Sequence, residues 1–218
     1  PATLYVDNPG DFIITNDLNP PGLSTGDIVT WDPGEGWAHP GAVSLTFGVT
    51  AFSTITNAVA LANPGDTVRV GPGTFAEQVN VSKRLTLLGN QNGISAIGRT
   101  GPETFVSTAN SGAVMNLLAD IITVDGFQFI GGVDAGNFTA AAGIATSNSA
   151  SGYTIFNNII QGGSNSSTAI APGLILATDA GFFTRIAHNS ITGGSGTTLG
   201  APGIQGTLGL NNVLIEAN

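Results

Sequence analysis

Cysteine is absent from all 218 residues, which excludes a disulfide scaffold and a thiolate metal site. Positive charge is scarce. Arg69, Lys83, Arg84, Arg99 and Arg185 stand against 14 acids, and the formal net charge is -9. Such a chain has no cationic surface with which to displace counterions, so nucleic acid is excluded as a partner. Attachment to anionic lipid fails for the same reason. No apolar run approaches the length of a membrane span, so membrane insertion is not expected. The sequence opens on Pro1, with neither an initiator Met nor a signal peptide, and so reads as a processed chain or a piece of a longer one.

Glycine is plentiful, at 32 residues, and it recurs with a period. Ser111-Gly112-Ala113-Val114, Ala141-Ala142-Gly143-Ile144, Ala171-Pro172-Gly173-Leu174 and Ala201-Pro202-Gly203-Ile204 begin four similar units, 30 residues apart. A second register runs through Val124, Ile155, Ile186 and Ile215, and a third through Phe129, Ile160 and Ile191. Glycine pairs follow at Gly131-Gly132, Gly162-Gly163 and Gly193-Gly194. A period of this length is the signature of a stacked-repeat architecture. Short strands between Gly and Asn cannot each bury a face. Stacked at about 4.8 Å per rung, they bury a continuous column. Val124, Ile155, Ile186 and Ile215 are expected to form one buried internal stack, and Val114, Ile144, Leu174 and Ile204 another. Asn158, Asn189 and Asn218 share a register and read as a turn ladder at left-handed corners.

Ahead of the repeats, Ser53 or Thr54 caps a helix over 53–63 whose Ile55, Ala58, Val59 and Ala62 fall on one face. Asn63-Pro64-Gly65-Asp66 stops it. Strands are expected at Thr67–Val70, 78–81 and 85–88. This region carries a resemblance. Phe52-Ser53-Thr54-Ile55, Ala58, Asn63-Pro64-Gly65-Asp66-Thr67-Val68, Val70, Gly73-Thr74-Phe75, Glu77, Val79, Lys83, Leu85-Thr86-Leu87 and Gly89 resemble the opening of right-handed parallel β-helix proteins of the pectin lyase-like superfamily. Tyr153-Thr154-Ile155-Phe156-Asn157-Asn158-Ile159-Ile160 looks like that family's coil repeat. The resemblance covers about residues 50–218. It implies an all-β fold, a right-handed parallel β-helix with an N-terminal capping helix, in which Glu77 and Lys83 are structural. The expected organisation is a β-rich N-terminal extension over 1–50 and the β-helix over 51–218.

Residues 1–50 read as strands at 3–6, 12–15, 27–31 and 42–47, separated by turn signals. They hold Asp7, Asp11, Asp17, Asp27, Asp32 and Glu35 and no basic residue. Those Asp residues are the weak candidates for calcium ligation, against a plainly solvated acidic surface. In the repeats the acids are dispersed. Asp125 aligns with Phe156 and Ala187, Arg185 with Thr154 and Thr123, and His188 with Asn157. Asp179 and Arg185 are placed to form a surface ion pair. Hydrolysis or elimination needs converging carboxylates or a base beside a cation, and no such catalytic constellation is present. The loops at 132–142, 163–172 and 194–202 are expected to pile into one neutral ridge. Thr123 and Thr154 share an outward register that Arg185 and Leu214 break, which disfavours an ice-binding array.

The expected function is therefore an extracellular or cell-surface structural protein that self-associates. A carbohydrate-active enzyme or a polysaccharide-binding module is the alternative. The 208–218 segment, in full repeat register with nothing to cap it, is expected to be covered by another subunit. Residues 1–47 are a candidate cover, giving a head-to-tail filament. A fragment, or repeats that continue in a longer protein, are the other two readings.

Overall fold

A computed structural model describes residues 1–31, 43–134, 140–165, 170–179, 181–195, 200–207 and 210–218. The chain is mostly β. β1 (Thr3–Val6) alternates half-buried and buried residues, as a strand with one face on a core does. β2 (Phe12–Asn16), β3 (Ile28–Trp31) and β4 (Val43–Thr46) form an antiparallel sheet over a small cluster of Phe12, Val29, Leu45 and Ala51. β5 (Ala51–Phe52) leads into α1 (Ile55–Leu61). The helix is two residues shorter at its N-terminal end than expected, because Thr54 is the N-cap and its side chain accepts from the Asn57 N–H. Ile55, Ala58 and Val59 are buried, as the helical spacing requires.

Three parallel sheets follow, and the chain visits them in rotation. β6 (Thr67–Val70), β7 (Gly73–Ala76) and β8 (Val79–Val81) place one strand in each. β9 (Thr86–Leu88), β10 (Thr104–Ser107) and β11 (Met115–Leu117) make the next rung. β12 (Thr123–Asp125) and β13 (Phe127–Ile130) come next, then the outlying β14 (Val133–Asp134), then β15 (Ile144–Thr146). β16 (Thr154–Phe156), β17 (Ile159–Gln161), outlying β18 (Ser164–Asn165) and β19 (Leu174–Leu176) repeat that pattern. β20 (Thr184–Ala187), β21 (Ser190–Thr192) and β22 (Ile204–Gly206) form the next rung, and β23 (Val213–Glu216) follows. The longest sheet runs β23-β20-β16-β12-β9-β6-β1-β5. Gly73-Thr74-Phe75, expected only as a connection, is strand β7.

The inward column of that sheet reads Leu4, Val68, Leu87, Val124, Ile155, Ile186, Ile215 by strand register. Val124, Ile155 and Ile186 are fully buried, whereas Ile215 is 45% exposed. Its register is as expected and its burial is not. Burial in a stack comes from the rung on the far side, and among the described residues no strand lies beyond β23. A second correction concerns Val114. Ile144, Leu174 and Ile204 share a column, but the residue paired with Ile144 is Met115. Both Val114 and Met115 are fully buried, so the hydrophobic pattern alone could not separate them.

Residues 1–50 contribute in two ways. β1 lies inside the longest sheet, paired in parallel with β6 on one side and β5 on the other. The Ala2 N–H donates to Asp66 Oδ1 at 2.6 Å, and the Asn63 N–H to Oδ2 at 2.8 Å, so one carboxylate ties the first residues to the turn after α1. Both bonds, the one from Ala2 foremost, hold Asp66 below its usual value of 3.8. The strands Pro1–Phe47 expected as a neighbour's cover are thus engaged within their own chain, in the longest sheet and the antiparallel one.

Candidate functional site

The corner between the first two sheets turns through residues that sit at positive φ. They are Gly126 (φ 82), Asn157 (φ 55), His188 (φ 58) and Ala217 (φ 50). The ladder asparagines were expected in that conformation. They instead occupy the next position, because a left-handed residue redirects the chain and the one after it faces inward. Asn158 and Asn189 are fully buried. The Asn158 N–H donates to Asn189 Oδ1 at 2.9 Å, and the Asn189 N–H to Asn218 Oδ1 at 3.0 Å. Asn158 Nδ2 donates to the Val124 carbonyl, Asn189 Nδ2 to Ile155 and Asn218 Nδ2 to Ile186. Each ladder amide therefore accepts from one backbone N–H of the rung before it, which would otherwise be buried without a partner, and adds a second donor to one of that rung's carbonyls. Phe127 holds the ladder place one rung earlier, and its N–H donates to Asn158 Oδ1. Thr104 holds it before that, pairing with Phe127. Its hydroxyl accepts from the Asn90 N–H at 2.8 Å and lies 2.8 Å from the Gly71 carbonyl. Sequence reasoning missed Thr104 because a hydroxyl does the work of an amide there.

The outer side of the longest sheet carries Thr3, Thr67, Thr86, Thr123 and Thr154 in one register, followed by Arg185 and Leu214. The guanidinium of Arg185 lies 4.8 Å from the centre of the Phe156 ring. Its ion pair is with Glu216, the Nε–H donating to Oε1 at 2.6 Å, and not with Asp179 as expected. Register decides this, because Glu216 follows the residue opposite Ile186 on the adjacent strand. Asp179 faces Ser151 of the preceding rung and the turn of its own loop. The Ser151 hydroxyl and the Gly181 N–H hold its carboxyl below the usual 3.8. Tyr153, fully buried nearby, has its phenol pushed up to about 12, chiefly by desolvation. Asp125 Oδ1 accepts from Asn157 Nδ2 at 2.8 Å and from the Gly93 N–H at 3.0 Å.

The acids singled out for calcium do not converge on one another. Asp27 is buried and accepts from the Leu18 N–H at 2.9 Å and from Ser24 N–H and Oγ at 2.7 and 3.0 Å. Those bonds, Leu18 first, lower its pKa. Asp17 accepts from the Asn19 and Gly22 N–H groups of its own turn. Asp7 is buried beside Gly71 and accepts from the Asn8 N–H, whereas Asp11 is exposed. Asp32 lies outside the described residues. Among the described residues, no three His, Asp or Glu side chains gather as a metal site would require.

The glycine pairs allow the loop bases to touch. A Cβ at Gly163 would collide with the Gly132 carbonyl, and one at Gly194 with the Gly163 carbonyl. β14 pairs in parallel with β18, and Ser164 bridges to Ser195. The tips of these loops, at 135–139, 166–169 and 196–199, lie outside the described residues.

The two ends of the stack differ in chemistry. At the N-terminal end α1 is clamped at both termini. Glu77 accepts from the Ile55 and Thr56 N–H groups at 2.8 Å each. Lys83 Nζ donates to the carbonyls of Val59, Ala60 and Ala62 at 3.2, 2.7 and 2.8 Å. A carboxylate at the N-terminus and an ammonium at the C-terminus complement the orphan backbone groups and the dipole. The edge strand β5 is blunted too, since the Ala51 carbonyl accepts from the Gly48 N–H at 2.8 Å. At the other end Leu210, Leu214 and Ile215 are 45%, 39% and 45% exposed, and β21, β22 and β23 are each the last strand of their sheet. The three edges and these exposed aliphatic side chains make the candidate site.

No protein-family model, no curated protein and no solved structure matches the chain.

Proposed function

We propose that the chain is a right-handed parallel β-helix resembling the pectin lyase-like superfamily, that it serves as a structural scaffold at a cell surface or outside the cell, and that it associates with a second copy through its last rung. The three sheets visited in rotation support the first part, together with the strong rule that parallel crossovers are right-handed. The observation that carries the association is the contrast between the ends. A head-to-tail contact would set open strands against α1 and the blunted β5. A contact between like ends sets open strand against open strand. In an antiparallel pairing of β23 with its copy, Leu214 opposite Leu214 places Val213 opposite Ile215 on the inner face, and every one of those pairs is apolar.

The absence of cysteine makes the test clean. Leu214→Cys should give a disulfide-linked dimer on mild oxidation, since facing residues of antiparallel strands lie about 4.5–5.5 Å apart at Cα. Leu61→Cys, on the exposed side of α1, should not. Sedimentation of the parent should show a concentration-dependent dimer. Filaments in electron micrographs, with Leu214→Cys linking only to Leu61→Cys, would establish the head-to-tail mode instead. A monomer at all concentrations would remove the association. Depolymerisation of pectate or alginate that a single acid substitution abolishes would replace the scaffold with an enzyme.

A further inference from the structure

The segment between β9 and β10, residues 89–103, does not stay within its own rung. It leaves with the Gly89 N–H donating to the Asp125 carbonyl at 2.8 Å and the Gln91 N–H to the Gly126 carbonyl at 3.1 Å. It then climbs. The Ala96 N–H donates to the His188 carbonyl at 2.9 Å, two rungs beyond Gly126. Returning, it places Arg99 at the level between. Arg99 Nη1 donates to the Asn157 carbonyl at 2.6 Å and to the Ile94 carbonyl at 2.8 Å. Nη2 reaches the Phe127 carbonyl at 3.4 Å. The Arg99 side chain is 1% exposed and its charge is neutralised by Glu103, with Nε to Oε1 and Nη2 to Oε2 both at 2.9 Å. A planar fork can serve two carboxylate oxygens and several carbonyls at once, and an ammonium cannot.

Gly126, Asn157 and His188 are three successive members of the positive-φ corner column. One segment therefore supplies the donors for their carbonyls across about 10 Å of stack. In an ordinary stack of repeats each unit touches only its neighbours, so the end units fray first and independently. Here a segment from the β9 rung is bonded to the β16 and β20 rungs, which are not its neighbours. We infer that residues 89–103 are a clasp, locked by Arg99, that makes the strands β9, β12, β16 and β20 open as one cooperative unit and leaves β23 free to open by itself. Ala217, the next corner residue, lies past its reach.

Hydrogen–deuterium exchange on the whole chain reads this directly. In the parent, peptides from β12, β16 and β20 should share one opening free energy, with β23 exchanging faster. Arg99→Lys keeps the charge and loses the fork. It should speed exchange at β16 and β20 by about tenfold or more, the worth of a hydrogen bond to a charged group, and leave β6 to β8 unchanged. Ala96→Pro removes the donor to His188 and leaves the Arg99 bonds to Asn157 and Phe127 in place. It should speed exchange at β20 while β12 and β16 keep parental protection, and it serves as the second test should Arg99→Lys fold poorly. Equal acceleration throughout the chain, or none at β20 in either variant, would overturn the clasp.

Discussion

Leu4 and Ile215 lie in one inward column at opposite ends of one sheet, and their surroundings differ. Leu4 is 5% exposed, with α1 and β5 closing over the first rungs, and Ile215 is 45% exposed. The side chains are similar, so the difference is one of neighbours. At the first end a seven-residue helix, too short to be stable alone, is held by Glu77, Lys83 and its buried face. At the last end β23 has a partner on one side only among the described residues. A repeat stack thus contains its own comparison between identical positions inside it and at its edge. The largest expected effect lies inside. Ile186→Asp places a charge where nothing can pair with it and should cost several kcal/mol by chemical denaturation. A variant that melts like the parent would refute the column.

The ladder sharpens the contrast. Asn189→Ala should cost about 1–3 kcal/mol, because it leaves the buried Asn158 N–H without an acceptor and takes one donor from the Ile155 carbonyl. Asn218→Ala removes the equivalent bonds from a partly exposed site and should cost about half as much. Equal losses would show that the last rung is as well shielded as the one before.

Much of this was legible in the sequence, and the reasons are specific. Ile155 and Ile186 could be matched because spacing sets register in a parallel stack, and Asn158 and Asn189 because a corner needs a side chain that both donates and accepts. What was not legible depends on partners far along the chain. Arg99 belongs to no repeat, and its meaning comes from carbonyls 28 and 58 residues away. Glu216 claimed Arg185 through register, which proximity in sequence to Asp179 concealed. The Thr column was visible as two residues and is five, since Thr3, Thr67 and Thr86 precede the regular period. The open edge of the last rung was readable, but not how fully the other end is closed.

The closed end can be loosened on its own. Lys83→Met leaves three carbonyls at the end of α1 without their shared donor and should cost about 1–2 kcal/mol. The accompanying change should be faster exchange in α1 and β5, with β20 unaffected. Acid acts on the same end. Asp66 and Asp27 are held below 3.8 by backbone donors, so the folded state binds fewer protons than the unfolded one in that range. Their contribution is complete above 3.8 and is lost as the pH falls through their folded values. Thermal scans at about pH 6 and about pH 3 should show Tm falling, with Asp66→Asn weakening the dependence.

The smallest effect is expected at the open end, and it tests the comparison most directly. Ile215→Asp makes the same chemical change in the same column as Ile186→Asp, one rung further on. With nearly half of the side chain in water, the carboxylate can remain solvated, and the loss is mainly the packing of one partly buried aliphatic group. In the monomer the cost should be about 1 kcal/mol or less, close to that of a surface substitution. The dimer proposed above would respond differently, because there Ile215 faces Val213 of the other copy. Measured at low concentration, where the monomer dominates, the variant should melt near the parent. Measured at high concentration it should fail to gain the stability that association gives the parent. A large loss at both concentrations would mean that Ile215 is buried within the monomer, and the contrast between the ends would fail.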